Sequence, residues 1–156
     1  MKTNSTALRV LVKGIVERAC ELKDKHTKET DARVNYAAVF AQSQREYSDL
    51  LAAAKQQGRI VQETPTGPVF EIKPLNTVAG KLRLLKVRAP DKTRLERGDA
   101  DFTIEKYEAF KKTHLGKPGF RLIVRPEFEM VELVDSKAGV RAYFSNPPLG
   151  EVLGRA

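Results

Sequence analysis

Turn and cap residues recur in this chain at a spacing close to sixty positions, and that recurrence constrains the fold more than any single motif. Tyr47 and Tyr107 each stand four residues beyond a hydroxyl-bearing residue, Ser43 or Thr103, and are 60 apart. Gly58 and Gly116 are 58 apart, and Ala79-Gly80 and Ala138-Gly139 are 59 apart. Glycine suits such positions because it ends helices and makes turns in backbone that a side chain would strain. Three markers agreeing this closely point to an internal duplication.

The residues between the markers define the repeated unit. Positions 34–41 (VNYAAVFA) are apolar on both faces and read as a buried strand. Ser43 to Glu46 has capping-box spacing, and Tyr47, Leu50, Leu51 and Ala54 follow on one helical face. Strands are expected at 59–63, 69–73 and 81–88, with a proline–glycine turn at 64–68. The second unit repeats the order: a strand at 99–102, a helix capped by Thr103 and carrying Ile104, Tyr107 and Phe110, then strands at 119–125, 128–135 and 140–145. Before both units, Leu8, Leu11, Val12, Ile15, Ala19 and Leu22 recur at helical spacing over 6–28.

The expected fold is therefore α+β: two βαβββ modules forming facing curved mixed sheets, with an extra N-terminal helix. One such module leaves a sheet face bare, and pairing two provides a shared cavity. The divisions fall at 1–32 (helix and linker), 33–88 (first module), 89–97 (linker) and 98–156 (second module and tail). The tail, NPPLGEVLGRA, has proline and glycine spacing that argues against regular structure.

At 156 residues the chain can bury a sizeable core, and no apolar run approaches the roughly 18 residues of a membrane span. Charged residues interrupt the N-terminal apolar stretch, so a secretory signal is not expected. One cysteine, Cys20, cannot form an internal disulfide, which fits a reducing, cytoplasmic setting. The net charge of +8 makes this a basic protein, and its cations concentrate in Lys81, Arg83, Lys86, Arg88, Lys92, Arg94 and Arg97, opposed only by Asp91 and Glu96. Such a patch serves solubility or, as a lesser reading, nucleic acid.

The paired βαβββ order, together with Tyr36–Leu50 (YAAVFAQSQREYSDL), resembles the vicinal-oxygen-chelate superfamily of glyoxalase I, extradiol dioxygenases and antibiotic-binding resistance proteins. The resemblance implies ligand positions on the first and last strands of each module: Tyr36 or Asn35, Lys86 or Arg83, Asp99 or Asp101, and Arg141 or Tyr143. The metal-binding members place His, Glu or Gln there. Cations at two of the four strands would repel a divalent ion, so no metal site and no cofactor are expected. The resemblance also implies that the chain can pair as a homodimer.

Asp99 and Asp101 are two apart on a strand and share a face. They can share a proton, bind a cation or act as a base, or else pair with Lys86, Arg88 or Arg141 across the sheet or simply be solvated. Along 81–88 the apolar face switches at Leu84-Leu85. Either a bulge sits there or Lys86 and Arg88 enter an apolar face, where they would favour a carboxylate or phosphate. Glu132 shares a face with Phe128, Met130 and Val134, and is either an acid–base group or the partner of Arg121, Arg125 or Arg141. Tyr36 and Tyr143 can offer hydroxyls to a cavity or pack in a core. His26 and His114 read as polar helix-end residues. There is no phosphate loop, nucleophile elbow, zinc spacing or triad.

The expected function is a cytoplasmic, small-molecule-binding, glyoxalase-like protein without a tightly held metal. Its polar or anionic ligand would lie between the modules, against Tyr36, Lys86, Arg88, Asp99, Asp101, Glu132, Arg141 and Tyr143. One alternative is a metal-dependent lyase, isomerase or dioxygenase using Asp99, Asp101 and Glu132. The other is a nucleic-acid-binding or structural module using the basic patch at 81–97. No membrane partner is expected.

Overall fold

The computed structural model describes residues 4–152 of the chain. Within them the order is α1 (Ser5–His26), β1 (Arg33–Phe40), α2 (Gln44–Gln57), β2 (Gly58–Thr64), β3 (Gly67–Thr77), β4 (Gly80–Arg88), β5 (Gly98–Thr103), α3 (Tyr107–His114), β6 (Phe120–Val124), β7 (Glu129–Val134), β8 (Arg141–Asn146) and α4 (Leu149–Val152). The eight strands form one mixed sheet in the order β2-β3-β4-β1-β5-β8-β7-β6. Outward from the middle, each half repeats one plan. β1 is parallel to β4, β5 is parallel to β8, and the next two strands in each half are antiparallel. β1 and β5 pair antiparallel at the seam, as two like halves related by a two-fold axis must.

The α+β class, the two βαβββ units and the extra N-terminal helix are thus present. The halves are joined edge to edge in one continuous sheet instead of forming two separate facing sheets. Pairing β1 with β5 satisfies backbone groups that would otherwise stand open at two edges.

One row shows how the core is built. Phe70, Leu85, Ala37, Ala100, Ala142, Leu133 and Phe120 lie in register across seven strands, on the face that carries α1, α2 and α3. The three central residues are alanines, and over them α1 crosses the seam, packing against β1, β5, β3 and β8. Small side chains let the helix approach, and its Leu8, Val12, Ile15, Val16 and Leu22 are buried against the sheet. Each such aliphatic contributes about 1.5–3 kcal/mol relative to exposure. Asn4 caps the helix by accepting from the Ala7 amide at 2.8 Å, and Lys23, Lys25 and His26 suit its negative end. Lys23 is fully buried; its ammonium donates to Asp24 and to the Glu29 carbonyl, both at 2.6 Å, and lies 5.3 Å from the Phe102 ring centre.

Two local expectations fail for identifiable reasons. Thr103 does not cap a helix: it ends β5, and its hydroxyl accepts from Asn35 Nδ2 at 3.0 Å. The helix starts instead at Tyr107, without a side-chain cap. The tail is not wholly irregular. A cis Asn146–Pro147 bond leads into α4, whose Glu151 and Val152 amides donate to the Pro148 carbonyl. Residues 153–156 of the second-module assignment, and 1–3 of the first segment, lie outside the described residues. No described helix is long and apolar enough to cross a membrane.

Candidate functional site on the face opposite the long helices

Strand alternation places a different set of side chains on the other face of the sheet. One row there runs Tyr36, Asp101, Tyr143, Glu132, Arg121. The next runs Val69, Lys86, Ala38, Asp99, Arg141, and Phe40 pairs with Arg88 beyond it. All eight residues expected from the sequence lie on this face. The pattern switch on β4 has both of its proposed causes. Opposite Leu82 to Leu84 the partner strand β3 slips register between Glu71 and Leu75. Leu82 therefore faces the helices while Leu84 joins Tyr36 and Val69 on the open face, followed by Lys86 and Arg88.

The eight residues separate into three groups. Asp101 is fully buried and accepts from the Ser145 amide at 3.0 Å, the Ser145 hydroxyl at 2.5 Å and the Leu149 amide at 3.4 Å. It fastens the segment leading into α4, and Leu149 in turn packs on Tyr36, Val69 and Leu84. Burial pushes the Asp101 carboxyl up to about 7, against the lowering effect of these bonds. The same burial, then the charges of Asp99 and Asp101, raises the Tyr36 phenol.

Glu132, Arg141 and Tyr143 form a closed network. Glu132 accepts from the Tyr143 hydroxyl at 2.8 Å, Arg141 at 3.1 Å and Arg121 at 3.0 Å. Arg141 also binds Glu96 through Nε at 2.8 Å. Glu132 thus has the pairing proposed as the alternative to an acid–base role. Burial, then Asp99 and Glu132, raises the Tyr143 phenol.

Asp99, Lys86 and Arg88 make the third group, completed by Arg94. Asp99 is 8% exposed, yet its carboxylate receives no hydrogen bond from the described residues. Burial pushes it up to about 7, while Lys86, Arg94 and Arg88 pull the other way. Burial lowers Lys86 to about 8, helped by Arg88 and opposed by Asp99. The Lys86 ammonium donates to Thr66 Oγ1 at 2.5 Å. Arg88 binds Asp91 at 3.3 Å and lies 5.5 Å from the Phe40 ring centre, but its Nε is buried without a partner. Arg94 lies 6.0 Å from the same ring and donates to the Tyr143 hydroxyl at 3.4 Å. This group can hold an anion against its cations and can accept a proton or hydrogen bond at Asp99.

The sequence did not single out Arg94, Phe40, Glu96 or Ser145 for the site. Arg94 reaches it through the 89–97 segment, where Asp91 accepts from the Thr93 amide and hydroxyl and its carbonyl takes the Arg94 amide. Asp followed two residues later by Thr was the available turn signal. The basic patch does not form one surface. Lys81, Arg83 and Lys92 are exposed, Lys86, Arg88 and Arg94 turn onto the open face, and Arg97 is held bidentate by Glu46 at 2.6 and 2.7 Å. His114 is no exposed decoration: it is buried, stacked on Phe120 and close to Phe110. His26 binds Asp135 at 3.2 Å.

A cleft of about 740 Å³ opens on the helix side, lined by residues that include Lys28, Glu29, Glu105, Lys106 and Lys117. Lys25, Lys28, Lys106 and Lys117 outnumber Glu29 and Glu105 in its lining, and the C-terminal ends of α1 and α3 adjoin it, whose partial negative charge offsets part of that excess. The open-face group has unmet bonding capacity of both kinds. Among the described residues no three His, Cys, Asp or Glu side chains are placed to hold a metal ion. Asp99, Asp101 and Glu132, the ligand set of the metal-dependent alternative, belong to three different groups.

No family model matches the chain, and no curated protein matches it. A solved structure, a structural-genomics protein designated EC4020, superposes with a TM-score of 0.70, covering 92% of this chain and 87% of its own. At 12% identity it shares the fold alone.

Proposed function

We propose that this chain is a small-molecule-binding protein of glyoxalase-like architecture, whose ligand is anionic and sits where the two modules join, on the sheet face opposite α1, α2 and α3. One observation carries the reading: a buried carboxylate, Asp99, to which no described residue donates a hydrogen bond, faces three cations that retain bonding capacity. Buried charged groups without partners are costly, and proteins keep them where a ligand completes the set. Both halves contribute, Lys86 and Arg88 from β4 and Asp99 from β5, so the duplication has a use. The metal-free expectation rests on the same geometry, since Lys86, Arg88 and Arg94 surround Asp99, which, unlike Asp101 and Glu132, receives no hydrogen bond from a described residue. A reducing, cytoplasmic setting suits Cys20, a buried free thiol.

Titrating the purified protein with a panel of small carboxylates and phosphates tests the reading, with calorimetry as readout. At least one acid is expected to bind, and Lys86→Met is expected to weaken it about tenfold or more, the worth of a charge-assisted bond. Unchanged affinity in Lys86→Met, in a variant that melts like the parent, would sink the assignment. A stoichiometric divalent metal that survives dialysis would favour the metal-dependent alternative.

A further inference from the structure

The two kinds of unmet bonding capacity on the open face, taken together, restrict the ligand. When ionised, Asp99 offers up to four acceptor positions and receives no hydrogen bond from any described residue, although the residue is only 8% exposed. Asp101, two residues on, takes three donors. The difference is position. Asp101 faces the segment leading into α4, whereas Asp99 is flanked in register by Ala38 and Arg141, and Arg141 is committed to Glu96 and Glu132.

On the far side of Ala38 stands Lys86. Two strand spacings separate the backbones of Lys86 and Asp99 by about 10 Å, and only a methyl group rises from the strand between them. The Lys86 ammonium spends one of its three donors on Thr66. Arg88, next on the same strand face, holds a buried Nε with no acceptor among the described residues. Unmet acceptors therefore lie on one side of Ala38 and unmet donors on the other.

A simple inorganic anion would satisfy the cations and leave Asp99 facing more negative charge. A metal ion would satisfy Asp99 and be repelled by Lys86, Arg88 and Arg94. We propose that the open face between Lys86 and Asp99 takes a small organic acid that bears a hydrogen-bond donor beside its anionic group, the class of 2-hydroxy and 2-amino acids. Its carboxylate lies toward Lys86, Arg88 and Arg94, and its hydroxyl or ammonium donates to Asp99. This rests on the ligand-binding reading above and adds the second half of the ligand.

Matched probes on the full chain test it by calorimetry: lactate and alanine against propionate, and malate and aspartate against succinate. A donor-bearing acid is expected to bind about tenfold or more tighter than its donor-free analogue, the worth of a hydrogen bond to a charged group. Asp99→Leu is expected to erase that preference from both sides, weakening the donor-bearing acid and strengthening the analogue, whose repulsion by the Asp99 carboxylate is removed. Asp99→Asn, which keeps shape and loses charge, is expected to erase it for the amino acids first, and stands in if the leucine variant fails to fold. Equal affinity within each pair, or a preference that survives both substitutions, overturns the ligand class. If propionate or succinate still binds and needs Lys86, the anion-binding reading stands without it. Binding of no acid in either series overturns both.

Discussion

Gly98→Ala will lower the melting temperature by about 10 °C. Gly98 opens β5 and pairs with Val39 at the seam between the halves. A Cβ built there meets the Ala38 carbonyl oxygen at 2.3 Å and Ile15 Cδ1 at 2.9 Å. The Ile15 methyl group can swing aside, but the carbonyl belongs to the central strand and cannot move without pulling β1 from β5. Over-packing costs about 1–3 kcal/mol, and a backbone obstacle puts this case at the upper end. For a chain of this length each kcal/mol is worth about 2–4 °C. Gly14→Ala is the contrasting control. It lies inside α1 with nothing within 4 Å of the built Cβ, so it should gain about 1 kcal/mol from helix propensity. Thermal denaturation followed by circular dichroism reads both. A Gly98→Ala variant melting within about 2 °C of the parent would contradict the close approach of β1 and β5.

Gly98 also shows what the sequence could and could not convey. The strand–helix–three-strand order was legible because β1, α2 and their counterparts keep simple periods and glycine stops, and because Ser43 and Glu46 form a cap that the structure retains. There the Ser43 hydroxyl accepts from the Glu46 amide and Glu46 accepts from the Gln42 amide. The seam was not legible. β1 and β5 pair directly, with Ala37, Ala100 and Ala142 in one row under α1, and register between distant strands leaves no mark in local spacing. The candidate face was readable for the same reason the strands were: alternation puts Asp99 with Asp101, and Lys86 with Arg88. What alternation cannot assign is the partner of each charge. Ser145, four residues before Leu149, commits Asp101 to the turn into α4. Arg121 and Arg141 commit Glu132. Asp99 is left over only after those long-range pairings are made, which is why two adjacent aspartates with the same pattern have different parts to play.

The protein will melt higher at pH 5 than at pH 7.5, and the difference will shrink in Asp99→Asn. Asp99 and Asp101 titrate near 7 in the folded chain because burial disfavours their charged forms, and near 3.9 when unfolded. Between about pH 4 and 7 the folded state therefore holds protons that the unfolded state has lost, and stability falls as pH rises through that window. Lys86 acts in the opposite direction above it. Its folded value near 8 lies below the unfolded 10.5, so from about pH 8 to 10.5 the unfolded state holds the extra proton and stability climbs again. The lowered carboxyls, Glu46 beside Arg97, Glu129 beside Lys111 and Asp135 at about 2, withdraw their support only below about pH 4. The sum is a stability minimum between about pH 7 and 8. Each pH unit between folded and unfolded titration is worth about 1.4 kcal/mol, so each aspartate contributes up to about 4 kcal/mol, or about 10 °C in a chain this size. Melting curves across pH 4.5 to 9 at constant ionic strength measure it. Asp99→Asn removes one of the two titrations and should flatten the descent by roughly half, without disturbing the bonds that Asp101 makes to Ser145 and Leu149. A parent profile that is level or rising from pH 5 to 7.5 would mean that both Asp99 and Asp101 are ionised throughout, whereas a descent that Asp99→Asn leaves unchanged would mean that Asp99 alone is.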